Sequence, residues 1–135
     1  MTVFLDTNIL VYAQQSGAKA EMAKRIVAEG GAISVQVLNE MANVLRRRFG
    51  REWREVEEAL NDVIAIVDRI VPVTLELHRT ARDLARDHGL SFYGGLIVAA
   101  ALEAGCETLL SEDMQHGRAF GGLVIRNPFL GEGSA

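Results

Sequence analysis

The 135-residue sequence is short of several things at once. It has one cysteine, so an internal disulfide is excluded, and Cys106 lies in the apolar context AGCETLL. A buried structural thiol is expected there rather than a nucleophile. Long hydrophobic runs are missing: the longest, Leu96 to Leu102, is far too short to span a bilayer. Asp6 interrupts the only apolar stretch near the N-terminus, so no secretory leader is expected. Basic charge is scarce too. The net charge is −4, whereas a general nucleic-acid binder is usually basic, so any RNA or DNA contact must come from a local patch. A glycine-rich phosphate loop and a GxSxG elbow are absent. His78, His88 and His116 are far apart and lack any zinc spacing; isolated histidines on polar faces account for them. These absences fit a cytoplasmic protein.

What is present reads as one globular domain, residues 1–130, followed by a flexible tail, GEGSA, at 131–135. Apolar residues make up 49% and charged ones 24%, the ordinary mixture for a packed core under a solvated surface. TVFLD reads as a buried strand, AIS as a second, VPV as a brief extended piece around Pro72, and ETLLS and GGLVIRN as the last strands. Between them the spacing predicts a short helix over Asn8 to Ala13 and longer ones over Ala18 to Glu29 and Val35 to Phe49. A further helix follows from the three-and-four spacing of Trp53, Val56, Leu60, Val63, Ile64 and Val67, and another spans Leu75 to His88. Ser91 to Ala104 is apolar on nearly every side and therefore a buried helix. Short strands alternating with helices predict a parallel sheet covered on both faces.

In such sheets, sites form outside the carboxyl ends of the strands. That rule gathers Asp6 (after VFL), Ser34 (after AI) and Ser111-Glu112-Asp113 (after TLL) along one edge. Glu40, in VQVLNEMANVL, falls at the border of its helix's apolar face, where a half-buried carboxylate needs a partner. Each acid also has a plain structural reading. Asp6 can cap the helix that follows it, Glu40 can pair with a neighbouring arginine, and Asp113 can stabilise a turn. Together, three carboxylates on one rim would repel one another unless a cation lay between them. Hard divalent ions such as Mg²⁺ and Mn²⁺ take such oxygen ligands, and can polarise a phosphoryl oxygen and activate a water for attack. The densest basic stretch, RRRFGREWR, holds Arg46, Arg47, Arg48, Arg51 and Arg54. It reads either as a solvated helix end that complements the dipole or as a patch contacting phosphate or a partner.

The segments FLDTNILVYA, ISVQVLNEM, LSFYGGLIVAAAL and TLLSEDMQHG, in this order and at these intervals, resemble those of a PIN domain. Within that superfamily the chain resembles the small VapC-like toxins of type II toxin–antitoxin pairs, from Val3 to about Pro128. The resemblance implies a three-layer α/β/α sandwich with a central parallel sheet, and an endoribonuclease dependent on Mg²⁺ or Mn²⁺. It also implies a cognate antitoxin whose C-terminal segment plugs the active-site groove, an RNA substrate, and a homodimer. By position, Asp6, Glu40 and Asp113 match the family's metal-binding acids, and Thr7, Asn8 and Ser111 match the polar residues that support them. The family's remaining acid opens the buried helix in a segment like FYDALI. Here the segment is FYGGLI, and position 94 is glycine.

Gly94 is an unfavourable choice at that place. If Ser91 caps the helix, Gly94 is its third residue, where a capping box favours Glu or Gln and where an acid meets the positive helix end. Glycine in a helix costs up to about 1 kcal/mol relative to alanine, and Gly95 repeats the cost. Either the glycines admit a neighbouring element or a carboxylate has been lost. The second alternative predicts weak metal binding and impaired hydrolysis with fold and partner binding intact. A competing reading is a non-catalytic PIN-like module that binds an antitoxin or RNA without cleaving. A phosphotransfer domain with Asp6 as acceptor fits less well, because such patterns want a second aspartate where Asn8 stands, or paired acids early and a lysine late. No lysine follows Lys24.

Overall fold

The computed structural model describes residues 2–130; the tail expected at 131–135 lies outside the described residues. Its elements run β1 (Val3–Leu5), α1 (Thr7–Tyr12), α2 (Ala18–Ala28), β2 (Ala32–Ser34), α3 (Val35–Arg47) and α4 (Trp53–Ile66). They continue with β3 (Arg69–Val71), α5 (Leu75–His88), α6 (Phe92–Glu103), β4 (Thr108–Leu110), β5 (Ala119–Phe120) and β6 (Leu123–Arg126). The strands form one six-stranded sheet in the order β3-β2-β1-β4-β6-β5. All neighbours are parallel except β5 and β6, which pair antiparallel. The expected parallel sheet is therefore mostly parallel, with one reversed edge.

Helices flank the sheet. Helices α1 to α4 pack among themselves, whereas α5 and α6 pair with each other and α6 lies on β2 and β4. Strands covered on both faces should be continuously apolar, and Phe4, Leu5, Ile33, Leu109 and Ile125 are all fully buried. Helix α6 is buried from Gly95 to Ala101, as its unbroken apolar run requires. Among the described residues, no helix is long and apolar enough to cross a membrane.

Helix ends follow local chemistry. Ser34, Thr74 and Ser91 each accept a hydrogen bond from the third residue of the helix they open, satisfying an amide that has no partner within the helix. Gly89 closes α5 with φ 67°, a left-handed conformation in which a side chain would be strained. Two expectations need correcting, and one strand was not foreseen. The third strand is Arg69–Val71 and stops just before Pro72, because proline has no N–H to give the ladder. Strand β5, only two residues long, has no periodicity to betray it. Trp53 and Ile64 are 57% and 45% exposed; the buried stripe of α4 is Val56, Ala59 and Val63.

Candidate active site

The site is built where β1 and β4, neighbours at the centre of the sheet, end side by side. Leu5 is paired with Leu110, so the residues that follow, Asp6 and Ser111, emerge together. Both are buried, Asp6 at 8% exposure and Ser111 at 0%. The Ser111 hydroxyl donates to Asp6 Oδ2 at 2.7 Å, and the Thr7 backbone N–H donates to Asp6 Oδ1 at 2.7 Å. Asp6 is thus the N-cap of α1 as well as a site residue; the two readings of this acid are not exclusive.

Asn8 ties the two strand ends together. Its Nδ2 donates to Asp113 Oδ2 at 3.1 Å and reaches Asp6 Oδ2 at 3.4 Å. Its Oδ1 accepts from the backbone N–H of Glu112 at 3.2 Å. One amide therefore stands between two carboxylates more than a hundred residues apart in sequence. Ser111 Oγ also accepts from the backbone N–H of Asp113 at 3.2 Å, fixing the turn that carries this acid. The Thr7 hydroxyl is buried and has no hydrogen-bond partner among the described residues.

Glu40 approaches from α3. It shares with Thr7, Asn8 and Asp113 the lining of a cleft of about 320 Å³. Its only hydrogen bond among the described residues is a long one, 3.4 Å, from Gln36 Nε2, so the expected arginine partner is not there. Burial raises the Glu40 carboxyl above its ordinary value, and the negative charges of Asp6 and Asp113 raise it further. Burial likewise raises the Asp6 carboxyl, with Asp113 adding to it, against the bonds from Ser111, Thr7 and Asn8 that favour the anion. Such mutual repulsion is the signature of acids gathered without a counter-charge.

The charge cost gives a prediction. A carboxyl whose value is raised by folding favours the neutral form in the folded state. Its ionised form therefore costs stability above its unfolded value, and that cost is absent at pH below it. Glu40→Gln should raise the melting temperature by a few degrees at pH 7, for a gain of up to about 1 kcal/mol. Melts repeated at descending pH should show the gain disappearing through the carboxylate range.

Glu112, beside Asp113, faces elsewhere. Its carboxylate takes the Tyr12 hydroxyl and the Lys19 ammonium, and Lys19 in turn lies over the rings of Tyr12 and Phe129. These two bonds hold the Glu112 carboxyl below its ordinary value, Lys19 contributing most. Ser34, the last residue of β2 beside β1, stands at the same edge, but its hydroxyl is fully buried and engaged as the cap of α3. Sequence reasoning missed Tyr12, Gln15 and Phe49 as cleft residues; only the position of Tyr12 inside the LDTNILVY segment hinted at it.

Gly94 and Gly95 separate in meaning. A Cβ at Gly95 would stand 2.5 Å from the Ala81 carbonyl oxygen of α5, so the helix pair approaches through the missing side chain. A Cβ at Gly94 would meet Leu90 and Met114 at 3.7 and 3.8 Å and only Ser91 Oγ more closely, at 3.1 Å. Gly94 and Asp113 line one small cleft of about 230 Å³. Helix packing explains the second glycine and leaves the first without a structural reason.

As ligands for a divalent ion, these residues fit in kind. All are hard oxygen donors: Asp6 and Asp113 joined by one amide, Glu40 across the cleft, and an orphaned buried hydroxyl at Thr7. They fall short in closeness. Among the described residues, no three acidic, histidine or cysteine side chains are close enough to grip one ion together.

A mostly parallel α/β sheet with acids at the carboxyl ends of its central strands defines a class of domain. The PIN domain family model matches residues 3–119, and the chain belongs to that family. Solved structures of similar fold include VapC20 from Mycobacterium tuberculosis, a sarcin-ricin loop cleaving toxin. It is 24% identical, with a TM-score of 0.68 over 83% of this chain and 92% of that one. A toxin–antitoxin complex from Klebsiella pneumoniae is 20% identical, with a TM-score of 0.69 over 96% and 98% of the two chains. VapBC2 from Rickettsia felis, bound to a DNA fragment from its promoter, is 19% identical, with a TM-score of 0.66 over 94% and 98%. No curated protein matches the sequence.

Proposed function

We propose that this chain is the toxin of a type II toxin–antitoxin pair, built as a metal-dependent endoribonuclease and impaired at position 94. The carrying observation is the junction at which Asn8 stands between Asp6 and Asp113 while Glu40 lines the same cleft as Asp113. Asp6, Glu40 and Asp113 would hold Mg²⁺ or Mn²⁺, and the ion, when bound, would polarise a phosphoryl oxygen and lower the pKa of an attacking water. The protein's own part is positional. Ser111 and the Thr7 N–H orient the Asp6 carboxylate, Asn8 spaces it from Asp113, and Gln36 steadies Glu40. With Gly94 in place of a fourth acid, the site holds an ion weakly and leaves the water poorly oriented.

A cognate antitoxin belongs to this reading, and the toxin–antitoxin assemblies among the structures of similar fold support it. An apolar cleft of about 170 Å³ between α1, α2 and α4, lined by Leu10, Val27, Val63 and Ile66, suits the apolar face of an antitoxin segment. A homodimer acting in the cytoplasm completes the proposal.

A second reading, a PIN-like module that binds antitoxin or RNA without cleaving, is favoured by the lack of three converging ligands among the described residues. Thermal melts with Mn²⁺ separate the two. A site that binds the ion gains about 2.7 kcal/mol at a hundredfold excess over its dissociation constant, several degrees for a domain of this size. No shift at any concentration would remove metal dependence and leave the binding module.

A further inference from the structure

Asp113 is carried by a stretch without regular structure. Residues 111–118, between β4 and β5, are neither helix nor strand. Among the described residues the Asp113 carboxylate has one hydrogen-bond partner, the Asn8 amide at 3.1 Å. A side chain so lightly held points where its turn directs it.

The turn is held from outside the site by Glu112. Its carboxylate accepts from the Tyr12 hydroxyl on α1 and the Lys19 ammonium on α2. Its backbone N–H donates to Asn8 Oδ1 at 3.2 Å. Lys19 is itself confined, with its ammonium 4.7 Å from the ring centre of Tyr12 and 5.2 Å from that of Phe129. Those two rings meet edge to face, 5.2 Å apart. Phe129 lies in the segment after β6, where the Asn127 N–H donates to His116 Nδ1 at 3.0 Å, farther along the same turn. One ammonium therefore gathers α1, α2, the turn and the segment after β6.

An exposed ion pair alone contributes little. Here the Glu112 side chain is only 24% exposed and the Lys19 one 45%, and two rings already restrict the lysine, so pairing costs it less freedom. The result is directional. Glu112 and Asp113 are adjacent, yet the first is drawn to α2 while the second turns to Asn8. Releasing Glu112 would let the peptide between them rotate and carry Asp113 off the Asn8 amide.

We propose that Lys19 and Tyr12 are positioning residues for Asp113, acting through Glu112. Their bonds fix the outward side of the turn, and the inward side follows. The consequence for metal binding rests on the function proposed above; the link to Asp113 does not. A through-space effect of charge has the opposite sign, because losing a lysine leaves the cleft more negative and should tighten its hold on a cation.

The first test is free of metal. In amide NMR spectra recorded in EDTA, Lys19→Met should speed hydrogen exchange of the Asn8 side-chain amide about fivefold, the population change equivalent to one hydrogen bond. Loss of a nearby cation alone would slow base-catalysed exchange, because fewer hydroxide ions gather there. Lys19→Arg should restore the parent rate, since a guanidinium still pairs with a carboxylate. Lys24→Met, which removes the pair with Glu21 on the same helix, should leave Asn8 unmoved. In a Glu112→Gln background, replacing Lys19 should add little, because the two residues act in series.

The second test adds Mn²⁺, with the free ion counted by electron paramagnetic resonance. Lys19→Met should weaken binding about tenfold, the low end for a residue that orients a metal ligand. Tyr12→Phe keeps the ring and removes only the hydroxyl, so both readouts should move the same way by less. Circular dichroism and melting of each variant establish that the fold is kept.

Unchanged or slower Asn8 exchange in Lys19→Met, or no rescue by Lys19→Arg, overturns the proposal. So does a full further loss when Lys19 is replaced in Glu112→Gln, or, where the parent binds Mn²⁺, binding by Lys19→Met that is no weaker. If the parent takes no Mn²⁺ while Asn8 still loosens, the positioning role stands and the metal reading falls. Mn²⁺ bound equally by parent and Lys19→Met, with Asn8 unmoved, gives the reverse.

Discussion

Gly94→Asp is expected to raise RNA cleavage in the presence of Mn²⁺ by at least about a hundredfold, the low end of what one positioned acid or base contributes. Position 94 is the third residue of α6, its backbone is helical, and Ser91 already accepts its N–H at 3.0 Å. A carboxylate there meets the positive end of the helix, worth roughly 0.3–1 kcal/mol, and borders the same cleft as Asp113. Ser91 Oγ must yield slightly to the new Cβ, so stability should change little. Initial rates on a fluorogenic single-stranded RNA, compared among the parent protein, Gly94→Asp and Gly94→Ala, provide the check. Alanine shares the backbone gain but adds no charge. An equal rise in both variants, or none in the aspartate, would refute the missing-carboxylate account.

The neighbouring position should behave in the opposite way. Gly95→Ala is expected to destabilise the protein by about 3 kcal/mol, toward the upper end of overpacking costs. An exposed helical glycine replaced by alanine gains up to about 1 kcal/mol, so the sign alone is informative. At Gly95 the added carbon would lie 2.5 Å from the Ala81 carbonyl oxygen and 3.3 Å from the Ala85 Cβ, and backbone cannot swing aside as a side chain can. Helices α5 and α6 would have to part, loosening the layer behind β2 and β4. Urea unfolding with unchanged slope and a lower midpoint is the expected result; a higher midpoint would mean that the helices have room.

The pair shows how much of this site could be read in advance. FYGGLI exposed both glycines as anomalies, but helix propensity treats them alike, and only the distance to α5 tells a packing glycine from an unexplained one. Asp6 and Asp113 could be brought together from sequence because strand ends in a parallel sheet share an edge. Glu40 followed from its place on the helical wheel. The resemblance marks Asn8 as a supporting residue, but that its one amide bridges both acids depends on the register of β1 with β4. The turn of Glu112 toward Lys19 was equally hidden, because it depends on where α2 lands. Strand limits failed where a single atom decides, as at Pro72, whereas α5 was bounded correctly because Thr74 and Gly89 mark its two ends chemically.

The rims of the sheet carry one last implication. On one side β3 offers three residues before Pro72 ends it, and on the other β5 offers two. Neither gives an incoming strand enough backbone to grip. Copies that accumulate without a protein companion should therefore stay dispersed instead of zipping into fibrils, and any self-recognition must be negotiated by helical surfaces.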